Sequence, residues 1–267
     1  MFATRHFVLG LAAVLMSSAV ASAQPAAPQE PVLNQKGKDV QWVPTPPVLL
    51  DKMLDMAQVT PKDYLVDLGS GDGITVIGAA RRGVKALGIE YDANLVEVSK
   101  RNAKAAGVEA LAEFRRGDIF KTDFSKATVV FTFLLPSLNL QLRPTILAMK
   151  PGTRVVSNTF PMGEWEPDDR VRVEGPCERW CEALFWVVPA RVAGVWRTPK
   201  GDLTLTQRFQ MVTGTLGDTA VQQGRLRGDA LVFTLGDGQF TGRVNGYRIT
   251  GTFVEPGRTS TWTLSRR

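Results

Sequence analysis

The stretch Tyr64-Leu-Val-Asp-Leu-Gly-Ser-Gly-Asp-Gly-Ile-Thr-Val76 sets three glycines and two aspartates directly behind a short apolar run. It reads as a buried strand entering a tight turn that opens a helix. Glycines in such a turn let a ligand touch bare backbone N–H groups. A phosphate cradle would end in Gly-Lys-Ser/Thr, but here Gly73 is followed by Ile74 and Thr75. A dinucleotide fingerprint would place its last glycine where Ile74 stands. Asp67 and Asp72 would also repel a pyrophosphate. They suit a ligand carrying positive charge: an amino acid on a sulfonium.

Working outward, apolar runs alternate in type. Tyr64–Leu68, Lys85–Glu90, Ala110–Arg115, Thr128–Leu134 and Thr153–Thr159 read as strands; Gly73–Arg82, Asn94–Ala106 and Leu138–Met149 read as helices. The alternation predicts an α/β fold: a Rossmann-like, doubly wound, mostly parallel sheet with helices on both faces. Ligands of such sheets lie outside the carboxyl ends of the strands. Glu90 ends the second strand, where a carboxylate can accept both hydroxyls of a ribose. Asp118, in Arg116-Gly-Asp-Ile-Phe120, follows the third, placed to accept from an adenine amino group, with Ile119 as an apolar face for the ring. Singly, each acid is more often a solvated loop residue; a set of them at consecutive strand ends points to one crevice.

Past Arg191 the period changes to two, as in Asp202–Gln210, Ala230–Leu235 and Arg248–Phe253, with turns at Gly217-Asp218, Gly228-Asp229, Gly236-Asp237-Gly238 and Asn245-Gly246. This predicts a smaller antiparallel all-β domain, a barrel or sandwich. Phe185–Val188 and Val192–Arg197 finish the first sheet or start the second. Charge follows the division: residues 24–190 hold 20 Lys/Arg against 21 Asp/Glu, and residues 191–267 hold 11 against 5.

The first 23 residues read as a signal peptide, with a basic start, an apolar run from Phe7 to Val20 and Ala21-Ser-Ala23 before the expected cut; an uncleaved inner-membrane anchor is the alternative. The expected organisation is thus signal peptide 1–23, disordered Pro/Ala-rich leader 24–40, α/β domain 41–190 and β meander 191–267. The expected location is exported, in the periplasm. The single histidine, His6, leaves with the signal, so Ser-His and Cys-His catalysis and His-ligated metals are not expected. Cys177 and Cys181 are too few for a zinc site and, in an exported chain, suggest a disulfide.

The run DLGSGDG at Asp67–Gly73, with Glu90 and the Gly117-Asp118 pair, resembles the class I (seven-β-strand) S-adenosylmethionine-dependent methyltransferases over roughly Trp42–Pro167. Val43-Pro-Thr-Pro46, Phe133–Asn139 and Gly152–Trp165 make it similar, more narrowly, to the family of the mitochondrial ATP-synthase c-subunit lysine methyltransferase, and more distantly to Dot1-like enzymes. The resemblance implies S-adenosylmethionine as cofactor. Asp67, Gly69, Gly71, Asp72, Gly73 and Glu90 would hold its methionine and ribose parts, and Asp118 and Ile119 its adenine. Thr45, Pro136 and Asn139 become acceptor-side catalytic residues, although Pro136 equally ends a strand and Asn139 equally sits in a helix's first turn. Trp165 either walls the acceptor pocket or belongs to the core. Methyl transfer works largely by orientation, so the missing histidine fits it. The acceptor is a protein, with lysine one candidate side chain, or a small molecule. The competing reading is an exported, inactive Rossmann-like protein whose basic β domain binds an anionic partner through Arg225, Arg227, Arg243 and Arg248. No aromatic-basic motif points to specific nucleic-acid binding.

Overall fold

The computed structural model describes residue 1, residues 28–175 and residues 177–267. The expected signal peptide lies, apart from Met1, outside the described residues. Among the described residues no helix is long and apolar enough to cross a membrane.

The first unit alternates strand and helix: α1 (Pro47–Met56), β1 (Tyr64–Leu68), α2 (Ile74–Arg81), β2 (Lys85–Glu90), α3 (Ala93–Ala105), β3 (Ala112–Arg116), β4 (Val129–Thr132), α4 (Pro136–Leu147) and β5 (Arg154–Asn158). Two further strands, β6 (Asp169–Arg172) and β7 (Glu182–Val187), complete a sheet of order β3-β2-β1-β4-β5-β7-β6. The first five strands are parallel, and β7 runs antiparallel between β5 and β6. The order reverses beside β1, which opens the crevice at its carboxyl end.

Alternating strand residues feed two cores. Leu65, Val129, Phe131 and Val156 pack with α1, α2 and α3 on one face. Val66, Leu68, Val130 and Val155 pack with Leu142 and Ile146 of α4 on the other. Helix α1 is brought close to α2 at Gly78, where a Cβ would stand 2.9 Å from Leu50.

The second unit is a closed antiparallel barrel of β8 (Gly194–Thr198), β9 (Gly201–Arg208), β10 (Met211–Leu216), β11 (Thr219–Arg227), β12 (Ala230–Leu235), β13 (Gly238–Asn245), β14 (Arg248–Glu255) and β15 (Arg258–Arg266). Pairing of Ser265 with Arg197 and of Arg266 with Trp196 closes it, so no edge strand remains. Inward positions carry Trp196, Phe233, Phe240, Phe253 and Trp262, all 2 % exposed or less, so side chains fill the interior. At the β13–β14 hairpin, Gly246 takes a φ of 56°, the left-handed value that such two-residue loops demand.

The two ambiguous segments now separate: β7 finishes the sheet and β8 begins the barrel. The units touch through Asp168, which accepts from Arg225 at 2.7 Å, Gln210, which donates to the Glu166 carbonyl at 2.8 Å, and Trp165, stacked on Phe209 at 6.2 Å. Trp165 is fully buried among Trp186 and Phe209 and packs in the core of the α4 face, which makes it core rather than acceptor wall.

The expected disordered leader is corrected over residues 28–40. Gln29 N–H donates to Asn94 Oδ1 at 2.8 Å, Arg101 donates to the Pro28 carbonyl and pairs with Glu30, and Lys36 bridges to Gln41. The Pro/Ala composition hid these polar contacts to α3.

Candidate active site

One cleft lies at the carboxyl ends of β1, β2 and β4, under the segment 37–45. The glycine turn forms its floor. Gly71 sits at φ 55°, and a Cβ there would come within 2.7 Å of the Trp42 indole nitrogen. The turn is pinned from behind: Ser99 of α3 donates to the Gly71 carbonyl at 2.9 Å, and Asn102 donates to the Asp72 carbonyl at 3.0 Å.

The acids converge on this cleft. Glu90 accepts the Gly71 N–H on one oxygen and the Asp92 N–H on the other, both at 2.9 Å, so it joins the two turns that border the ligand space. Burial pushes its pKa up against those hydrogen bonds. Asp67 is buried at the end of β1, and desolvation, opposed by a hydrogen bond with Thr75 and reinforced by the charges of Glu90 and Asp72, raises its pKa to about 7. Burial likewise raises Asp72, whose carboxylate accepts from the Ile74 N–H. Asp118 accepts from the Phe120 N–H at 3.0 Å and from Lys38 at 3.1 Å, and these hold its pKa below the usual range. Lys38 also stands 4.8 Å from the Tyr91 ring centroid, so the segment before α1 is clipped over the Asp118 end of the cleft.

Gly69, Ile119 and Thr45 also line the cleft, whereas Gly73 caps α2 and does not. A Cβ at Gly73 would strike the Phe114 ring at 2.8 Å, so its role is packing between turn and sheet. The acceptor-side expectation is corrected at two positions. Asn139 is fully buried and donates to the Phe160 carbonyl at 3.0 Å; it faces the β5 loop instead of the cleft. Pro136 is an exposed first-turn residue of α4 and also lies outside the cleft lining. Thr45 remains, its hydroxyl within 3.4 Å of the Asn158 amide.

Sequence reasoning missed Ser70 and Thr132. Both line the cleft, and both hydroxyls are buried without a protein partner. Ser70 sits between two glycines of the turn and Thr132 at the end of apolar β4, and a lone hydroxyl in either place carries no sequence signature, so only the fold could reveal their burial. Buried polar groups call for partners, and a polar ligand over the glycine turn would supply them. The donor set, the bare turn and the acids together fit S-adenosylmethionine. Asp67, Asp72 and Glu90 would hold its amino acid and ribose parts; Asp118 and Ile119 flank the space for its base.

A family model described as the ANTKMT methyltransferase domain matches residues 67–169. The chain is 39% identical over 138 residues to a protein-lysine N-methyltransferase of Saccharolobus islandicus, covering 51% of this chain and 86% of that protein. It is 40% identical over 105 residues to the mouse ATP-synthase c-subunit lysine N-methyltransferase, covering 39% of this chain but only 42% of that one. The crystal structure of an RNA methyltransferase from Salinibacter ruber with S-adenosyl-L-homocysteine is 49% identical, with a TM-score of 0.53, over 56% of this chain and 96% of that one. The chain belongs to the class I S-adenosylmethionine-dependent methyltransferases. It is an enzyme, and S-adenosylmethionine is its cofactor.

Proposed function

We propose that the enzyme methylates the side chain of a lysine in a protein acceptor. Relatives named for lysine methylation support this reading. The observation that carries it is a second, wider cleft beside the cofactor cleft: Lys38, Val40, Val43, Pro44, Phe133 and Leu134 line both. That geometry suits a long side chain entering from outside toward the cofactor's methyl end.

When bound, S-adenosylmethionine supplies a methyl carbon that an amine lone pair takes, the C–S electron pair staying with the sulfur. The chain's own contribution is positional. The turn at Gly69–Gly73 and Glu90 would orient the donor, and Phe133 and Leu134 line the approach to it. No side-chain base is required beyond solvent.

An exported location is supported by the signal-peptide pattern of residues 1–23 and by the disulfide joining Cys177 to Cys181. The intact acidic set disfavours the inactive-protein reading. Arg225 and Arg243 are moreover engaged by Asp168 and Asp229.

The test is transfer of radiolabelled methyl from S-adenosylmethionine to separated protein and RNA fractions, followed by acid hydrolysis. Label recovered as methyl-lysine, and lost with Glu90→Ala or Gly71→Arg, is expected. Label recovered in RNA would overturn the acceptor class and align the chain with its Salinibacter relative.

A further inference from the structure

The outer cleft ends in three aromatic rings, of which Phe133 alone also borders the methyl-donor site. Phe133 follows β4, Phe160 follows β5, and Trp180 lies in the loop between β6 and β7. Their ring centroids stand 6.1 Å (Phe133–Phe160), 6.0 Å (Phe133–Trp180) and 5.1 Å (Phe160–Trp180) apart. All three line the outer cleft, and Phe133 lines the cofactor cleft too. Phe133 and Phe160 are half-buried, while Trp180 is 37 % exposed, a large ring left open at the rim.

The trio is held in an arrangement the chain would not adopt unaided. Thr159 and Trp180 take φ values of 61° and 59°, rare and strained for a β-branched and a bulky residue. Such strain persists only where the surroundings impose it, and it gathers at ligand clamps. Here the Thr159 N–H donates to the Glu182 carbonyl at 2.7 Å, Asn139 donates to the Phe160 carbonyl, and the disulfide between Cys177 and Cys181 closes a five-residue loop around Trp180. The buried Asn139 thus acts as a positioning residue for Phe160. Trp180 and its disulfide also lie beyond residue 169, where the family match stops.

We infer that Phe133, Phe160 and Trp180 form the acceptor mouth, binding the aliphatic stem and cationic head of a lysine side chain. This rests on the lysine-acceptor reading and adds where the side chain enters and which residues select it. Aromatic faces attract alkylammonium groups and prefer them to neutral groups of the same shape. Ordering Trp180 by a short disulfide loop lowers the entropy lost when the acceptor binds. Successive methylation keeps the head cationic, so the mouth accepts partly methylated lysine as well.

The probe is N-acetyl-trimethyllysine methylamide, with an isostere in which carbon replaces the quaternary nitrogen. Both are titrated calorimetrically into the full chain saturated with S-adenosyl-L-homocysteine. The cation should bind roughly three- to tenfold more tightly than the isostere. Trp180→Ala should remove that preference, Trp180→Phe should keep most of it, and Cys177→Ser with Cys181→Ser should weaken binding, with S-adenosyl-L-homocysteine affinity unchanged throughout. Equal affinity for cation and isostere, no binding of the cation, or a preference that survives Trp180→Ala overturns the acceptor mouth. If wild-type enzyme still forms methyl-lysine in the transfer assay, the lysine reading stands and only this inference falls.

Discussion

Asp67 shows how one buried side chain links stability to ligand binding. Its pKa is raised from 3.8 to about 7, chiefly by desolvation. Between those values the folded chain holds a proton that the unfolded chain has released. The contribution to stability is therefore full below about pH 4, declines as pH rises, and is lost above about pH 7. A ligand with a positively charged amino group favours the ionised form. Affinity for S-adenosyl-L-homocysteine should consequently climb from pH 5.5 to 8, by up to about tenfold per pH unit below the pKa. Asp67→Asn should flatten that profile, bind more weakly at pH 8, and unfold at higher denaturant than wild type there. Calorimetry and urea titration across that range check both. The placement of Asp67 and Glu90 at the cleft was legible because both stand at the carboxyl ends of neighbouring strands, beside the glycine turn. Ser70 and Thr132 were not, because a serine between turn glycines reads as ordinary turn composition and a threonine in an apolar strand as ordinary strand composition.

Elements were legible where their pattern was strong and local. The strands Tyr64–Leu68 and Lys85–Glu90 match the reading residue for residue, and the barrel's alternation marked its inward side chains. Strand β6 escaped notice because Asp169-Arg-Val-Arg172 is a charged, largely exposed edge that owes its strand to pairing with β7. Trp165 escaped assignment because a tryptophan suits a pocket wall and a core equally. The barrel's stability should reside in its stacked rings: Phe233–Phe240 at 4.9 Å and Phe253–Trp262 at 4.3 Å. Phe240→Ala, at a fully buried position, should cost about 3–5 kcal/mol. Chemical denaturation measures that loss, and an unchanged midpoint would mean that the barrel interior is not packed as described.

At the scale of the whole molecule, sheet and barrel are joined by a small set of contacts, among them a cluster around Phe209 on the face opposite α1–α3. Phe209 stacks on Trp165, Arg143 lies 5.3 Å from the Phe209 ring centroid, and the Asp168 carboxylate accepts both the Val187 N–H and Arg225. Phe209→Ala should therefore loosen the joint, at a cost of about 2–4 kcal/mol. It should also split thermal unfolding into two transitions, with S-adenosyl-L-homocysteine shifting only the one that belongs to the sheet. A single transition shifted as a whole would show that the units unfold together regardless of this contact.

The most direct test of the cofactor site is a calorimetric titration of the full chain with S-adenosyl-L-homocysteine, with Glu90→Ala alongside. Glu90 ties the Gly71 and Asp92 turns together at the cleft. One-to-one binding by wild type that Glu90→Ala weakens at least tenfold is the predicted result. Well-folded protein that binds no ligand, or that binds equally well without the Glu90 carboxylate, would contradict the assignment of this cleft to the methyl donor.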